Sequence, residues 1–195
     1  MTKSYISLGL MSGTSGDGVD ASLIKSTGSL NENNSYEVIL DKYFEYDQVI
    51  FNKIYVLKNK INTIKDLKIH SNEIEEVERL ITIFHAKVAD TFSKKYKIDL
   101  IGFHGHTIFH NPNKKITKQI GNAKLLSQLT KKNIIFDFRS NDIKNGGQGA
   151  PLAPLFHLAL SKKNKITAPW IILNIGGISN ITFCGKNSKD YRAMD

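Results

Sequence analysis

A polar segment near the N-terminus carries the residues best suited to chemistry. Three glycines, two hydroxyl residues and an acid fall within positions 13–18, between apolar runs around Leu10 and Val19. This pattern predicts a β-hairpin whose tip could bring backbone N–H groups and hydroxyls close to a phosphate. Asp17 and Asp20 could hold Mg²⁺ beside that phosphate, directly or through water. A tight surface turn explains the same composition about equally well.

Two histidines stand two residues apart at His104 and His106, after an apolar strand predicted for Asp99 to His104. Ligand-binding groups commonly lie where the strands of an α/β sheet end. In a continuing strand this spacing places both side chains on one face, as a pair of metal ligands would require. No third ligand is evident from the sequence, so hydrogen bonding to a substrate is the favoured interpretation.

Charged residues also flank the exit of the next predicted strand, which covers Asn133 to Phe138. Arg139 is suited to an anionic partner, because its planar fork matches carboxylates and phosphates. Asp142 and Gln148 are further candidates, since the glycine-rich run at 146–149 lets the backbone approach a ligand. For Asp137, an Asp–Arg pair that only braces a loop is an equally good interpretation.

Composition and charge narrow the class of protein. The chain has 195 residues, 41% of them hydrophobic and 23% charged, which suits one globular domain or slightly more. Its net charge is +9, but the lysines are scattered without an aromatic-interleaved basic stripe, so a solvated surface is favoured over nucleic-acid binding. With no signal peptide and no apolar run of about 20 residues, we expect a soluble cytoplasmic protein. Cys184, the single cysteine, is expected to be a packed apolar residue.

Periodicity and capping signals predict an α/β chain. The pattern indicates a hairpin over about 4–26, a strand over 36–46, helices over 47–58 and 122–130, and a helix that begins at Ser71 and is closed by Lys94, Lys95 and Lys97. It further indicates strands over 99–104 and 133–138, a loop over 139–149, a helix from near Pro151 to Leu160, and a second hairpin formed by 170–174 and 178–184.

Five segments in the same order resemble the anhydro-N-acetylmuramic acid kinase family. The first is Gly9-Leu10-Met11-Ser12-Gly13-Thr14-Ser15 followed by Asp17-Gly18 and Asp20. The others are Gly102-Phe103-His104-Gly105-His106-Thr107 with His110, Gln119-Ile120-Gly121-Asn122, the stretch from Asp137-Phe138-Arg139 through Asp142 to Gly146-Gly147-Gln148-Gly149-Ala150-Pro151-Leu152, and Leu173-Asn174-Ile175-Gly176-Gly177-Ile178-Ser179-Asn180. Together they span nearly the whole chain.

The resemblance implies an actin-like sugar kinase fold with a ribonuclease H-like domain I. Residues 1–166 would form domain I, and 167–195 the start of domain II. Two glycine-tipped hairpins would then grip the phosphates of ATP, with Mg²⁺ as the metal. The implied nucleotide-binding residues are Gly13, Thr14, Ser15, Gly16, Asp17, Gly18, Val19 and Asp20 in the first hairpin and Asn174, Gly176, Gly177 and Ser179 in the second. Gly16 departs from the family pattern, which often has a larger apolar residue there.

The resemblance also implies a sugar site and a general base. His104, His106, Arg139, Asp142 and Gln148 would contact the sugar, with His106 standing where the family often has Gln. Arg139 would suit the lactyl carboxylate of a muramic acid.

The last residue, Asp195, aligns with the family's general base. That base activates water to open the 1,6-anhydro ring, and the freed 6-oxygen takes the γ-phosphoryl group of ATP. The product, N-acetylmuramic acid 6-phosphate, feeds cell-wall recycling.

Length sets the remaining expectations. Family members are generally homodimeric and about twice this long, so we expect an N-terminal half that works with a second chain supplying the rest. The alternative is an inactive remnant or a sugar-binding fragment without turnover. The expected partners are ATP and an amino sugar, not nucleic acid or a membrane.

Overall fold

The computed structural model describes residues 3–29, 36–175, 179–186 and 191–194. Within them the strands are β1 (Tyr5–Ser12), β2 (Gly18–Ser26), β3 (Tyr36–Glu45), β4 (Leu100–Asn111), β5 (Ile116–Ile120), β6 (Asn133–Phe136), β7 (Trp170–Asn174), β8 (Asn180–Cys184) and β9 (Tyr191–Met194). The helices are α1 (Gln48–Lys60), α2 (Ile64–Ile69), α3 (Ser71–Ser93), α4 (Ala123–Thr130), α5 (Phe138–Lys144) and α6 (Pro154–Lys163), with a 3₁₀ turn at Pro112–Lys114.

The main sheet combines an antiparallel meander with parallel strands. β2 lies between β1 and β3 and pairs antiparallel with both, and β1 also pairs parallel with β4. The first half of β4 pairs parallel with β6, and its second half pairs antiparallel with β5. The resulting order β3-β2-β1-β4-β6, with β2 antiparallel to its neighbours, is the ribonuclease H-like arrangement. The predicted α/β fold class is therefore confirmed.

A second sheet follows α6. β7 and β8 form the predicted hairpin, and β9 adds a third antiparallel strand. The predicted division into domains at residue 166 falls between the two sheets and stays a prediction. Cys184 is a free thiol and is buried in β8, as expected for a packed apolar residue.

Alternating apolar side chains build the core on one face of the main sheet. Leu8, Val19, Leu23 and Ile101 are fully buried there. The core also takes in residues of α1, α3 and α4, namely Ile50, Ile54, Leu57, Ile74, Val77, Ile81, Val88, Ala89, Phe92 and Leu126. Asp47 caps α1 by accepting a hydrogen bond from Ile50 N–H at 2.9 Å, and Asn122 caps α4 through Leu125 N–H at 2.9 Å, as predicted. Among the described residues no helix combines the length and apolar character needed to cross a bilayer.

Strand β4 corrects the predicted strand at 99–104, because it continues to Asn111. Its pairing with β1 contains a bulge: Leu10 lies opposite Phe103, but Met11 lies opposite Gly105, which leaves His104 as the extra residue. Gly105 has a φ of +72°, which favours glycine. The bulge resets the strand's alternation, so the expectation that His104 and His106 share a face is wrong.

Three other expectations need correction, and two elements were not predicted. β6 is a largely exposed strand rather than a buried one, because within the described residues it pairs with β4 alone. The predicted loop at 139–149 begins with α5, whose seven residues contain no glycine. α6 begins at Pro154 and not near Pro151, since Pro154 takes the first-turn position that proline suits. The weakly patterned stretch before α3 contains α2, and β5 was not predicted.

The bulge glycine gives a test of this strand arrangement. Gly105→Ala should lower the free energy of unfolding by roughly 2 kcal/mol or more, because an alanine there is strained and its Cβ meets the Ile120 carbonyl. Gly28→Ala is the matched control, with a similar φ of +74° but nothing within 4 Å of the added Cβ, and should cost only about 1 kcal/mol. Urea denaturation of both variants measures the difference, and equal losses would contradict the bulge geometry.

Candidate functional site

The predicted hairpin tip is a tight turn between β1 and β2. Gly16 N–H donates to the Gly13 carbonyl at 3.0 Å, so Thr14 and Ser15 are the central residues of a β-turn. Gly16 has a φ of +70°, and a Cβ there would lie 2.8 Å from Cγ2 of Ile54 on α1. The glycine therefore permits both the turn and the close approach of α1.

The first acid of the tip is held as a carboxylate. Ser15 Oγ donates to Oδ1 of Asp17 at 2.6 Å. This bond is the main cause that lowers the pKa of Asp17, and the Tyr43 hydroxyl lowers it further. The Asp17 carbonyl accepts from Tyr46 N–H at 2.9 Å, which ties the tip to the end of β3.

Asp20 lies on β2 and points to the sheet face opposite the core. It lines a cavity of about 600 Å³ together with Met11, Gly102, His104 and Phe138. Its carboxylate has no hydrogen bond or ion pair within the described parts of the chain. The described residues contain no group of three or more His, Cys, Asp or Glu side chains placed to hold a metal ion. A carboxylate is the kind of ligand that Mg²⁺ takes together with substrate phosphates and water, so the predicted role of Asp17 and Asp20 as magnesium ligands agrees with their chemistry and stays a prediction.

His106 lies beneath the hairpin tip on the core side of the sheet. It is fully buried, and its Nδ1 is 3.1 Å from Ser12 Oγ. Its Cε1 would be 3.5 Å from a Cβ at Gly16. Burial lowers the pKa of His106 to about 4, so the ring is neutral near pH 7.

His104 lies on the opposite face and is paired with Arg139. Arg139 Nε donates to His104 Nε2 at 2.9 Å. With that nitrogen accepting, Nδ1 carries the proton and donates to the Gly105 carbonyl at 3.0 Å. Burial lowers the pKa of His104, and the nearby Arg139 charge lowers it further. Two residues that were separately predicted to contact the sugar thus lie together, with a neutral histidine orienting the guanidinium.

Asp142 braces the glycine-rich loop that follows α5. Its carboxylate accepts a hydrogen bond from Gly149 N–H at 2.7 Å, and its carbonyl accepts from Gly147 N–H at 2.9 Å. Gln148 is exposed between these two anchored positions. The carboxylate of Asp142 therefore shapes the loop, while its predicted role as a sugar contact stays a prediction.

Of the residues predicted in the second hairpin, Asn174 lies on the smaller sheet. Asn174 ends β7 opposite Asn180 of β8, and Ser179 is exposed just before β8. The predicted positions Gly176 and Gly177, and the predicted general base Asp195, lie outside the described residues.

Lys58 belongs to the site and was not predicted from the sequence. Its Nζ donates to the Thr14 carbonyl at 2.7 Å, across 44 positions of sequence. A lysine near the end of a helix ordinarily indicates a solvated residue, so its type gave no signal. The one hint was Gly16, whose missing side chain leaves room for α1 beside the tip.

The family model and the curated relatives that match this chain carry the same family name. A family model described as anhydro-N-acetylmuramic acid kinase matches residues 4–193. A curated relative of that name from Pelagibacter ubique is 57% identical over 100% of this chain and 52% of its own length, and one from Agrobacterium fabrum is 35% identical over 93% and 50%. The chain thus spans about half the length of the curated relatives it matches. A solved Ppx/GppA family member from Aquifex aeolicus aligns with a TM-score of 0.42 and 10% identity, over 98% of this chain and 51% of that one.

Two buried histidines, His106 and His85 of α3, make the free energy of unfolding depend on pH. Burial lowers the pKa of both His85 and His106 to about 4 from 6.5, so the unfolded chain takes up protons before the folded chain does. The free energy of unfolding should therefore fall by roughly 2 kcal/mol or more as the pH drops from about 6.5 to about 4. Urea denaturation across this range measures the slope. His106→Gln should make it shallower, and an unchanged slope would contradict the burial of this ring.

Proposed function

Because the chain belongs to the anhydro-N-acetylmuramic acid kinase family, we propose that it provides the phosphate-binding hairpin and sugar-binding residues of an ATP-dependent kinase. The substrate would be 1,6-anhydro-N-acetylmuramic acid and the product N-acetylmuramic acid 6-phosphate. This assignment concerns the complete protein, and the chain spans about half of the relatives it matches.

The observation that carries the proposal is the contact between the end of β1 and the middle of β4. Met11 and Ser12 of β1 lie beside Gly105 and His106 of β4. The hairpin tip therefore leaves the sheet next to β4, the strand that carries His104. Arg139 of α5 is hydrogen-bonded to that histidine. A kinase needs such an arrangement, because phosphoryl transfer depends on placing the phosphates and the acceptor oxygen together.

In the proposed reaction each group of residues has its own binding role. The N–H groups and hydroxyls of Thr14 and Ser15 bind the phosphates of ATP. Arg139, oriented by His104, binds the lactyl carboxylate of the sugar. Asp17 and Asp20 hold Mg²⁺, which when bound offsets the negative charge on the phosphates.

Asp195 is proposed as the general base by its alignment with the family. It takes a proton from a water molecule, whose oxygen bonds to the anomeric carbon as the bond from that carbon to the 6-oxygen breaks. The 6-oxygen then bonds to the γ-phosphorus of ATP and ADP leaves. The water proton on Asp195 is subsequently released to solvent.

The part of the family sequence that this chain does not span completes the proposal. We assign residues 1–166 to domain I and 167–195 to the start of domain II. The remainder of domain II, including its share of the nucleotide site and of a homodimer interface, would come from the part of the family sequence that this chain does not span. The reaction uses ATP, so we place the protein in the cytoplasm.

A sugar-binding fragment without turnover is the second candidate function. The pairing of His104 with Arg139 and the loop braced by Asp142 both form within the described residues. The sugar contacts could therefore act in an inactive remnant.

Complementation separates the two candidates. We expect the 195-residue chain alone to give no ATP-dependent phosphorylation of 1,6-anhydro-N-acetylmuramic acid. With Mg²⁺ and the C-terminal half of the Pelagibacter ubique relative, turnover should appear, and Asp195→Asn should lower it at least about a hundredfold. Coupled ADP release measures the rate. A folded mixture without turnover would leave only the binding function.

The sugar contact has its own test. Arg139→Lys keeps the charge but loses the planar fork, so affinity for 1,6-anhydro-N-acetylmuramic acid should fall about tenfold. The matched ligand 1,6-anhydro-N-acetylglucosamine lacks the lactyl carboxylate, and its affinity should not change. Isothermal titration measures both ligands. An equal loss for both would mean that Arg139 does not bind the carboxylate.

A further inference from the structure

Helix α1 is pressed against the hairpin tip along one side. Ile54 occupies the space that a side chain at position 16 would need. Lys58 follows Ile54 by four residues, so both side chains leave the helix on the same face. This places the Lys58 ammonium group at the tip, where it donates to the Thr14 carbonyl at 2.7 Å.

Lys58 differs from its neighbours on the same helix. Lys53 pairs with Glu76 at 2.7 Å, and Lys60 pairs with Glu73 at 2.6 Å. Within the described residues Lys58 has no carboxylate partner inside ion-pair distance. Its one described hydrogen bond goes to the backbone of the turn, so its role is tied to the conformation of that turn.

The bonded carbonyl belongs to the central peptide of the β-turn. This peptide joins Thr14 to Ser15, and its orientation is what distinguishes type I from type II turns. A type II turn would require a positive φ at Ser15, which Ser15 does not have. The hydrogen bond from Lys58 favours the same orientation, because it draws the Thr14 carbonyl toward α1.

The orientation determines what the tip presents to a ligand. In a trans peptide the C=O and N–H bonds point in opposite directions. With the Thr14 carbonyl directed at Lys58, the Ser15 N–H points away from α1. A flipped peptide would instead turn the carbonyl oxygen toward that side, where it would repel an anion.

We propose that Lys58 is a positioning residue that holds the Thr14–Ser15 peptide with the Ser15 N–H directed at a phosphate of the nucleotide. The proposal rests on the proposed function, which assigns the tip to ATP phosphates. Lys58 acts through the backbone and does not itself bind the nucleotide.

The test uses the full chain, tripolyphosphate as the probe, and NMR spectroscopy. On titration with tripolyphosphate we expect the Ser15 amide proton to move downfield, as a new hydrogen bond to an anion requires. Lys58→Met should weaken binding about tenfold and reduce the Ser15 shift change. Without the probe, it should also move the Thr14 carbonyl carbon resonance upfield, because that carbonyl loses a charged donor.

Two further variants make the result specific. Lys60→Met removes the same charge from the same helical turn, and should weaken binding less than twofold, as a distant and screened charge would. Lys58→Arg keeps a charged donor and should restore both the affinity and the Ser15 shift.

The outcomes distinguish the two proposals. If the wild-type chain binds tripolyphosphate and Lys58→Met binds equally well, the role of Lys58 is overturned and the phosphate site stands. Equal losses in Lys58→Met and Lys60→Met overturn it in favour of a general charge effect. If the wild-type chain shows no shift at Ser15, the assignment of the tip to phosphates fails, and the role of Lys58 fails with it.

Discussion

The bulge in β4 is the constraint on which both sides of the site depend. One extra residue, His104, lies between Phe103 and Gly105 opposite β1, and the strand's alternation changes phase there. His106 is consequently buried under the hairpin, while His104 lies with Arg139 on the sheet face opposite the core, called here the open face. Two residues of one type, two positions apart, thus serve different parts of the molecule.

The charge of the site comes from residues other than its histidines. Burial keeps His104 and His106 neutral near pH 7, so each can accept as well as donate a hydrogen bond. Positive charge is instead carried by Arg139 on the open face and by Lys58 at the hairpin tip. Anion binding by these two groups therefore does not require a histidine to be protonated.

Local patterns predicted the fold where sequence neighbours decide the structure. The hairpin, the caps at Asp47 and Asn122, and the start of α3 at Ser71 follow from turn chemistry, capping and periodicity, and all are confirmed. The failures arose where distant residues decide. The continuation of β4 past His104 depends on pairing with β5, which was not predicted. The exposure of β6 depends on which strands become its neighbours in the sheet. That is decided by the tertiary structure, and no local sequence pattern encodes it.

The candidate site likewise contains residues that local sequence predicted and a residue that it did not. Residue types predicted the tip at 13–18 and Arg139 as candidates for the site. Clustered glycine and hydroxyl residues serve few functions, and so does a guanidinium group. Lys58 escaped prediction because its partner, the Thr14 carbonyl, is backbone and lies 44 residues away. The sequence likewise did not reveal that Asp142 shapes the loop containing Gln148, since the pattern of a bracing carboxylate and of a ligand contact is the same.

The glycine at position 16 has a consequence for the thermodynamics of ligand capture. It lets α1 contact the tip, which is then held by Ile54 and Lys58 from the helix and by Tyr46 from the end of β3. A glycine-rich turn without these contacts would sample many conformations and lose that entropy whenever a ligand ordered it. Here the loss is incurred during folding, so the tip is preorganised, and association with an anion need not be slowed or weakened by ordering of the loop.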